Sequence, residues 1–145
     1  MTLDELIEQW EADGAVDGDN LDRESVRTPN IHSKYLRIMM TYKMKLSALK
    51  MEYNTLRQKK FRYFRGEMTK AELTELGWDQ WQGVKPLKTD MNEFLDGDED
   101  LNKIVIKCQY LENMIQGLES IMNQIKARDW QIRNTIEWKK FIAGQ

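Results

Sequence analysis

Apolar residues recur along this chain at helical intervals, and the places where the recurrence stops divide it into segments. Leu3, Leu6, Ile7 and Trp10 share one face, so a first helix is expected from Leu3 to about Asp13. Thr2 stands where a cap belongs, Glu5 three residues on completes a capping box, and Gly14 is a natural stop. The polar stretch from Gly14 to Asn20 is expected as a linker, followed by a short helical turn over Leu21 to Arg27. A second main helix is expected to start near Thr28 or Asn30, with Pro29 tolerated in its first turn, and to reach Arg65 before Gly66 stops it. Its stripe is a heptad seam: Tyr35, Tyr42, Leu49, Leu56 and Tyr63 take one core position, and Met39, Leu46 and Tyr53 the other. Lys60 falls where the next core residue belongs. At 1.5 Å per residue this helix is about 54 Å long.

Between 67 and 100 the pattern is shorter and mixed. Thr69 and Glu72 form a second capping box for a helix over Lys70 to Leu76, ended by Gly77. Trp78 and Trp81 follow, Gly83 and Pro86 interrupt, and Met91, Phe94 and Leu95 belong to one more short helix or turn. The last helix is the clearest element, expected from Leu101 to Ala143 after the acidic cluster Asp96, Asp98, Glu99 and Asp100, whose carboxylates suit a helix N-terminus. Leu101, Ile104, Cys108, Leu111, Ile115, Leu118, Met122, Ile125, Ile132 and Ile136 keep heptad spacing, and Asp129 alone is off-pattern.

These elements predict a mainly α protein: two long heptad-patterned helices with shorter ones, assembled as a coiled-coil-like homo-oligomer. About 64 Å of final helix is too long for one other long helix and fragments to cover. Val105, Met114, Ile121, Trp130 and Trp138 lie outside its seam, and self-association is the simplest way to bury them. Leu111, Ile115, Leu118, Met122, Ile125, Ile132 and Ile136 are the expected oligomerisation residues. Within one structural domain, the chain divides into an acidic N-terminal helix and linker (1–30), a basic helix (31–66), an acidic partly helical connector (67–100) and the C-terminal oligomerisation helix (101–145).

Charge changes the picture more than composition does. The formal net charge is −2, yet residues 33–66 carry ten bases and one acid, while 1–30 and 67–102 are each strongly acidic. One basic segment therefore lies between two acidic ones. No run of 18 apolar residues and no basic-then-apolar leader occurs, so a soluble, cytoplasmic protein is expected. A single cysteine, Cys108, cannot form an intramolecular disulfide.

The basic segment carries the candidate chemistry. From Leu56 to Arg65 the chain reads LRQKKFRYFR, in which Arg57, Lys59, Lys60, Arg62 and Arg65 are interleaved with Phe61, Tyr63 and Phe64. Cations spaced along a surface suit a phosphate backbone, and flat rings suit unpaired bases. A helix end explains one or two bases by its dipole, but not five, with one displacing a seam residue. Lys43, Lys50 and Arg57 recur every seven residues and extend the track. Tyr63 sits on the seam, so Phe61 and Phe64 are the better stacking candidates. The string Asp96-Gly97-Asp98-Glu99-Asp100 resembles the start of a calcium loop, but Leu101 and Lys107 occupy the positions that need Gly and Glu. His32 and Cys108 have no partners at metal-ligand or nucleophile spacing, and no phosphate-binding glycine loop is present. No enzyme activity, metal or cofactor is therefore expected. A coiled-coil structural or assembly protein that does not bind DNA is the main alternative, and a metal-dependent nuclease the enzyme-class one.

Three stretches carry a family resemblance. Ser33-Lys34-Tyr35-Leu36 resembles a Ser-Lys-aromatic-Leu that opens a basic helix, and Leu56-Arg57-Gln58-Lys59 resembles a Leu-basic-x-basic DNA-contact motif followed by an aromatic pair and Gly. Ile125 to Arg133, with Phe141-x-Ala143-Gly144, resembles a C-terminal signature. Together they are similar to the UvsY family of phage recombination mediators. The resemblance implies a homo-hexamer or homo-heptamer that binds single-stranded DNA in the infected host cell. It also implies contacts with a phage recombinase, whose loading it assists, and with a phage single-strand-binding protein, which it destabilises on DNA. Arg57 and Lys59 fall on the motif's two basic positions, with Lys60 as an extra base.

Overall fold

Thr2 opens α1 (Leu3–Gly14) with a full capping box: its hydroxyl accepts from the Glu5 N–H, and the Glu5 carboxylate accepts from the Thr2 N–H. The structure, a computed structural model, describes residues 1–144. After α1 come α2 (Leu21–Phe64), α3 (Lys70–Leu76), α4 (Met91–Asp96) and α5 (Glu99–Ile142), with no strand among the described residues. The mainly α expectation holds.

α2 begins about two turns before its expected start and contains Pro29. The Asp17 carboxylate turns the linker, accepting from the Asp19 N–H and the Asn20 side-chain amide, and Glu24 N–H then bonds the Asn20 carbonyl. Pro29 offers no N–H to the Ser25 carbonyl, but both residues are exposed, so water can take that acceptor and the helix continues. Gly77 ends α3 in the left-handed region at φ 70°, where its N–H reaches the carbonyls of Leu73 and Thr74.

The chain forms two compact units, which cut across the four segments drawn from the sequence. The first comprises Met1–Met44 and the chain from Leu111 onward. Here Leu6 of α1, Ile31, Tyr35 and Met39 of α2, and Met114, Leu118, Ile121, Met122 and Ile125 of α5 form one core. Trp10 meets Tyr35 edge-to-face, with centroids 5.5 Å apart. The Trp10 ring also lies so close over Gly14 that an added Cβ would fall 2.8 Å from it.

Two sequence expectations are corrected here. Leu111, Ile115, Leu118, Met122, Ile125 and Ile132, expected to face another protomer, are buried within this one. Met114 and Ile121, outside the heptad seam, are buried as well, because α5 is covered by both α1 and α2 and a two-sided contact needs a wider stripe. The seam does not break at Asp129, which is exposed; the buried position is Arg128, at 1% exposure. Its guanidinium donates to the Thr28 hydroxyl at 3.0 Å and to the carbonyls of Gly14 and Glu24 at 3.2 Å each, and it forms an ion pair with the Glu24 carboxylate. Burial pushes Glu24 up, but the bond from Arg128 and the charges of Arg27 and Arg128 outweigh it and hold the carboxyl below its ordinary range.

The second unit is Lys45–Tyr110. Phe64, Met91, Leu95 and Leu101 form its core, with Tyr53, Leu56, Phe61, Tyr63, Trp81 and Phe94 packed around them. This small aromatic core fixes the basic end of α2.

Candidate nucleic-acid interface

The basic end of α2 is held by the segment that follows it. Phe64 is buried, meeting Trp81 edge-to-face at 4.9 Å and Phe94 at 5.7 Å. Tyr63 packs against Trp78 at 5.3 Å and donates its hydroxyl to the Asp79 carbonyl at 2.6 Å. Trp78 and Trp81, to which the sequence assigned no role, thus anchor the turn of the chain after α2.

That packing sorts the expected DNA-contact residues. Lys60 is buried, 2.8 Å from the Asp100 carboxylate and 3.2 Å from that of Asp98, with its ammonium 4.4 Å from the Trp78 ring centre. An ammonium at a seam position needs such compensation, since an unpaired buried charge is costly. Burial lowers the Lys60 pKa, yet the bonds and charges of Asp100 and Asp98 win and leave it raised. Asp98 also accepts from the Leu101 N–H, so one carboxylate caps α5 and neutralises Lys60. Lys60 is therefore a buried ion-pair partner and Phe64 a buried ring, rather than the exposed contacts the sequence suggested.

The other members remain at the surface. Lys59 is exposed and makes no hydrogen bond or ion pair among the described residues. Arg57 donates to the Asn92 side chain at 3.2 Å, and Lys50 is exposed. Phe61 is half-buried, with the Arg65 guanidinium 5.6 Å from its ring centre. Arg65 pairs with Glu67 at 2.9 Å, and Arg62 with Glu72 through two bonds of 2.8 and 3.0 Å. Hydrogen bonding and charge from Glu72 raise Arg62, and the same contact lowers Glu72. In the first unit, Lys43 lies 4.0 Å from Glu119.

The sequence reading missed Glu67 and Glu72 as partners of the basic segment. The signal was present: the acids resume immediately after Gly66, where the chain turns back. The Ser33–Leu36 stretch also has a structural role. Tyr35 is fully buried and donates to Asp13 at 2.9 Å, while Lys34 reaches the same carboxylate at 2.6 Å. Asp13 is pushed up by burial, but these bonds and the charges of Lys34 and Arg27 bring it below its ordinary value.

Beside the basic end lies an open cleft of about 470 Å³, floored by Tyr63, Phe64, Trp81 and Phe94 and rimmed by Glu93, Asp98, Glu99 and Asp100. Its acids disfavour a phosphate backbone. Among the described residues, no group of three or more His, Cys, Asp or Glu is placed to hold a metal ion, and no helix is long and apolar enough to cross a membrane.

Residues 9–145 match the family described as the recombination, repair and ssDNA-binding protein UvsY. Over its full 145 residues the chain is 21% identical to the recombination protein uvsY of Enterobacteria phage T4, all of which is covered. The fold is similar to crystal structures of the bacteriophage T4 recombination mediator protein UvsY. One has a TM-score of 0.84 at 20% identity, covering 99% of this chain and 98% of that one. Another lattice form also gives 0.84, at 19% identity and 97% and 99% coverage.

Proposed function

Because the chain belongs to the UvsY family of recombination, repair and ssDNA-binding proteins, we propose that it is a recombination mediator whose α2 end contacts single-stranded DNA. The observation that carries this reading is the family match, which includes the whole of α2. Geometry supports a particular division of labour. Lys59, Arg57 and Lys50 lie at or near the surface and form the first contact with phosphate, Arg62 and Arg65 extend it, and Phe61 offers a partly exposed ring for a base.

Self-association completes the site by repetition. Trp130, Trp138, Phe141 and Ile142 share one exposed face along the end of α5, at 70%, 60%, 73% and 66%, and Trp138 stacks on Phe141 at 5.7 Å; Ile136, on the opposite side, is 37% exposed. A face this apolar on a charged helix suits a further copy of the chain. Six or seven linked copies turn a modest contact per protomer into tight binding. In this role the mediator contacts a recombinase and a single-strand-binding protein on the same strand and assists the recombinase in loading.

The test is a fluorescence-anisotropy titration of labelled single-stranded and duplex oligonucleotides at several salt concentrations. With about three phosphates engaged per protomer, the log–log salt slope for single strands is about −2 per protomer. Arg57→Ala with Lys59→Ala weakens binding and leaves the sedimentation profile unchanged. No binding at low salt refutes the assignment and favours a helical assembly protein.

A further inference from the structure

Two of the surface arginines of the basic end, Arg62 and Arg65, are occupied by the chain's own acids. Arg62 grips both oxygens of Glu72, and Arg65 holds Glu67. A guanidinium fork donates to carboxylate and phosphate oxygens in the same way, so these acids stand where phosphate would. Lys59 shares a small cavity with Glu72 and Glu75, walled by Met68 and Leu76.

α3, which supplies Glu72, is loosely held. It has seven residues, none of them buried, and a helix so short has little stability alone. Its capping box is incomplete: Thr69 accepts from the Glu72 N–H, and the Glu72 carboxylate accepts from the Thr69 hydroxyl at 3.3 Å and from Arg62 rather than from the Thr69 N–H.

We propose that residues 67–77 form a detachable acidic cover on the DNA-binding end of α2, with Glu72 and Glu67 acting as internal competitors for the phosphates that bind Arg62 and Arg65. This inference rests on the single-stranded DNA reading above and adds its regulation. A strand exchanges one set of anions for another. The released acids then repel the backbone, so α3 leaves the face as DNA arrives. The cover weakens binding and quickens release, which suits a protein that must pass its strand on.

The experiment uses the full chain and labelled oligo-dT at fixed salt. Glu72→Gln keeps the backbone cap but loses the charge, and tightens binding about two- to fivefold per protomer, the range expected for one exposed pair. Glu67→Gln with Glu72→Gln tightens it further. Glu93→Gln removes the same charge from the cleft rim and has a smaller effect. Amide exchange of the wild-type chain over 67–77 becomes faster when oligo-dT is bound. Unchanged or weaker affinity in both variants overturns the cover, as does an equal gain from Glu93→Gln, or exchange that stays equal or slows. A wild-type chain that binds no oligo-dT overturns the DNA reading itself.

Discussion

Replacing Arg128 with Ala tests the central packing of the first unit. The guanidinium is 1% exposed and serves the Glu24 carboxylate, two backbone carbonyls and the Thr28 hydroxyl. Truncation removes all four contacts. Glu24 keeps Arg27 at 3.2 Å, so its charge is not wholly stranded, but the carbonyls of Gly14 and Glu24 lose this donor. Breaking a buried pair costs about 3–5 kcal/mol, and retention of Arg27 favours the lower end. Arg128→Lys does not rescue the loss, since a single ammonium cannot reproduce the fork. Urea unfolding followed by circular dichroism, at one fixed protomer concentration, measures the cost without confusing it with self-association. In a double-mutant cycle with Glu24→Gln, a coupling of about 1–3 kcal/mol is expected. A loss under about 1 kcal/mol for Arg128→Ala, or an additive cycle, refutes the reasoning.

Acid unfolding tests the same pair from the carboxylate side. Glu24, Asp13 and Asp100 are all held below their ordinary values of 4.5, 3.8 and 3.8. Each contributes stability that is fully present above its unfolded pKa and is lost as pH falls through the lower folded one. Stability therefore falls below about pH 4.5, and Glu24→Gln flattens that decline; an unchanged slope in the variant contradicts the assignment. Lys60→Ala leaves the half-covered Asp98 with the Leu101 N–H alone and costs about 3 kcal/mol in urea, the low end for a broken buried pair, whereas Lys59→Ala changes stability little and weakens DNA binding. The reverse pattern would restore Lys60 to the interface. Trp138→Ser with Phe141→Ser shifts the sedimentation coefficient toward that of a protomer without loss of helix signal, and an unshifted profile removes this face from assembly.

Local rules in the sequence determined much of this protein: the Thr2 cap, the stops at Gly14 and Gly77, the 3.6-residue stripes and the basic band on α2. Each depends on neighbours within a few residues, so each is legible without knowing the fold. Tertiary structure decided what those stripes and charges touch. Lys60 and Phe64 look like their interface neighbours in sequence, but Asp98, Asp100, Trp78 and Trp81 take them into the core. Arg128 replaces Asp129 as the buried residue because Glu24 and the Gly14 carbonyl, more than a hundred residues away, converge on it. The α5 seam residues are covered by the chain's own α1 and α2, which leaves Trp130, Trp138 and Phe141 as the exposed face. A heptad pattern shows that a helix face must be covered, but which segment covers it depends on contacts between residues far apart in sequence.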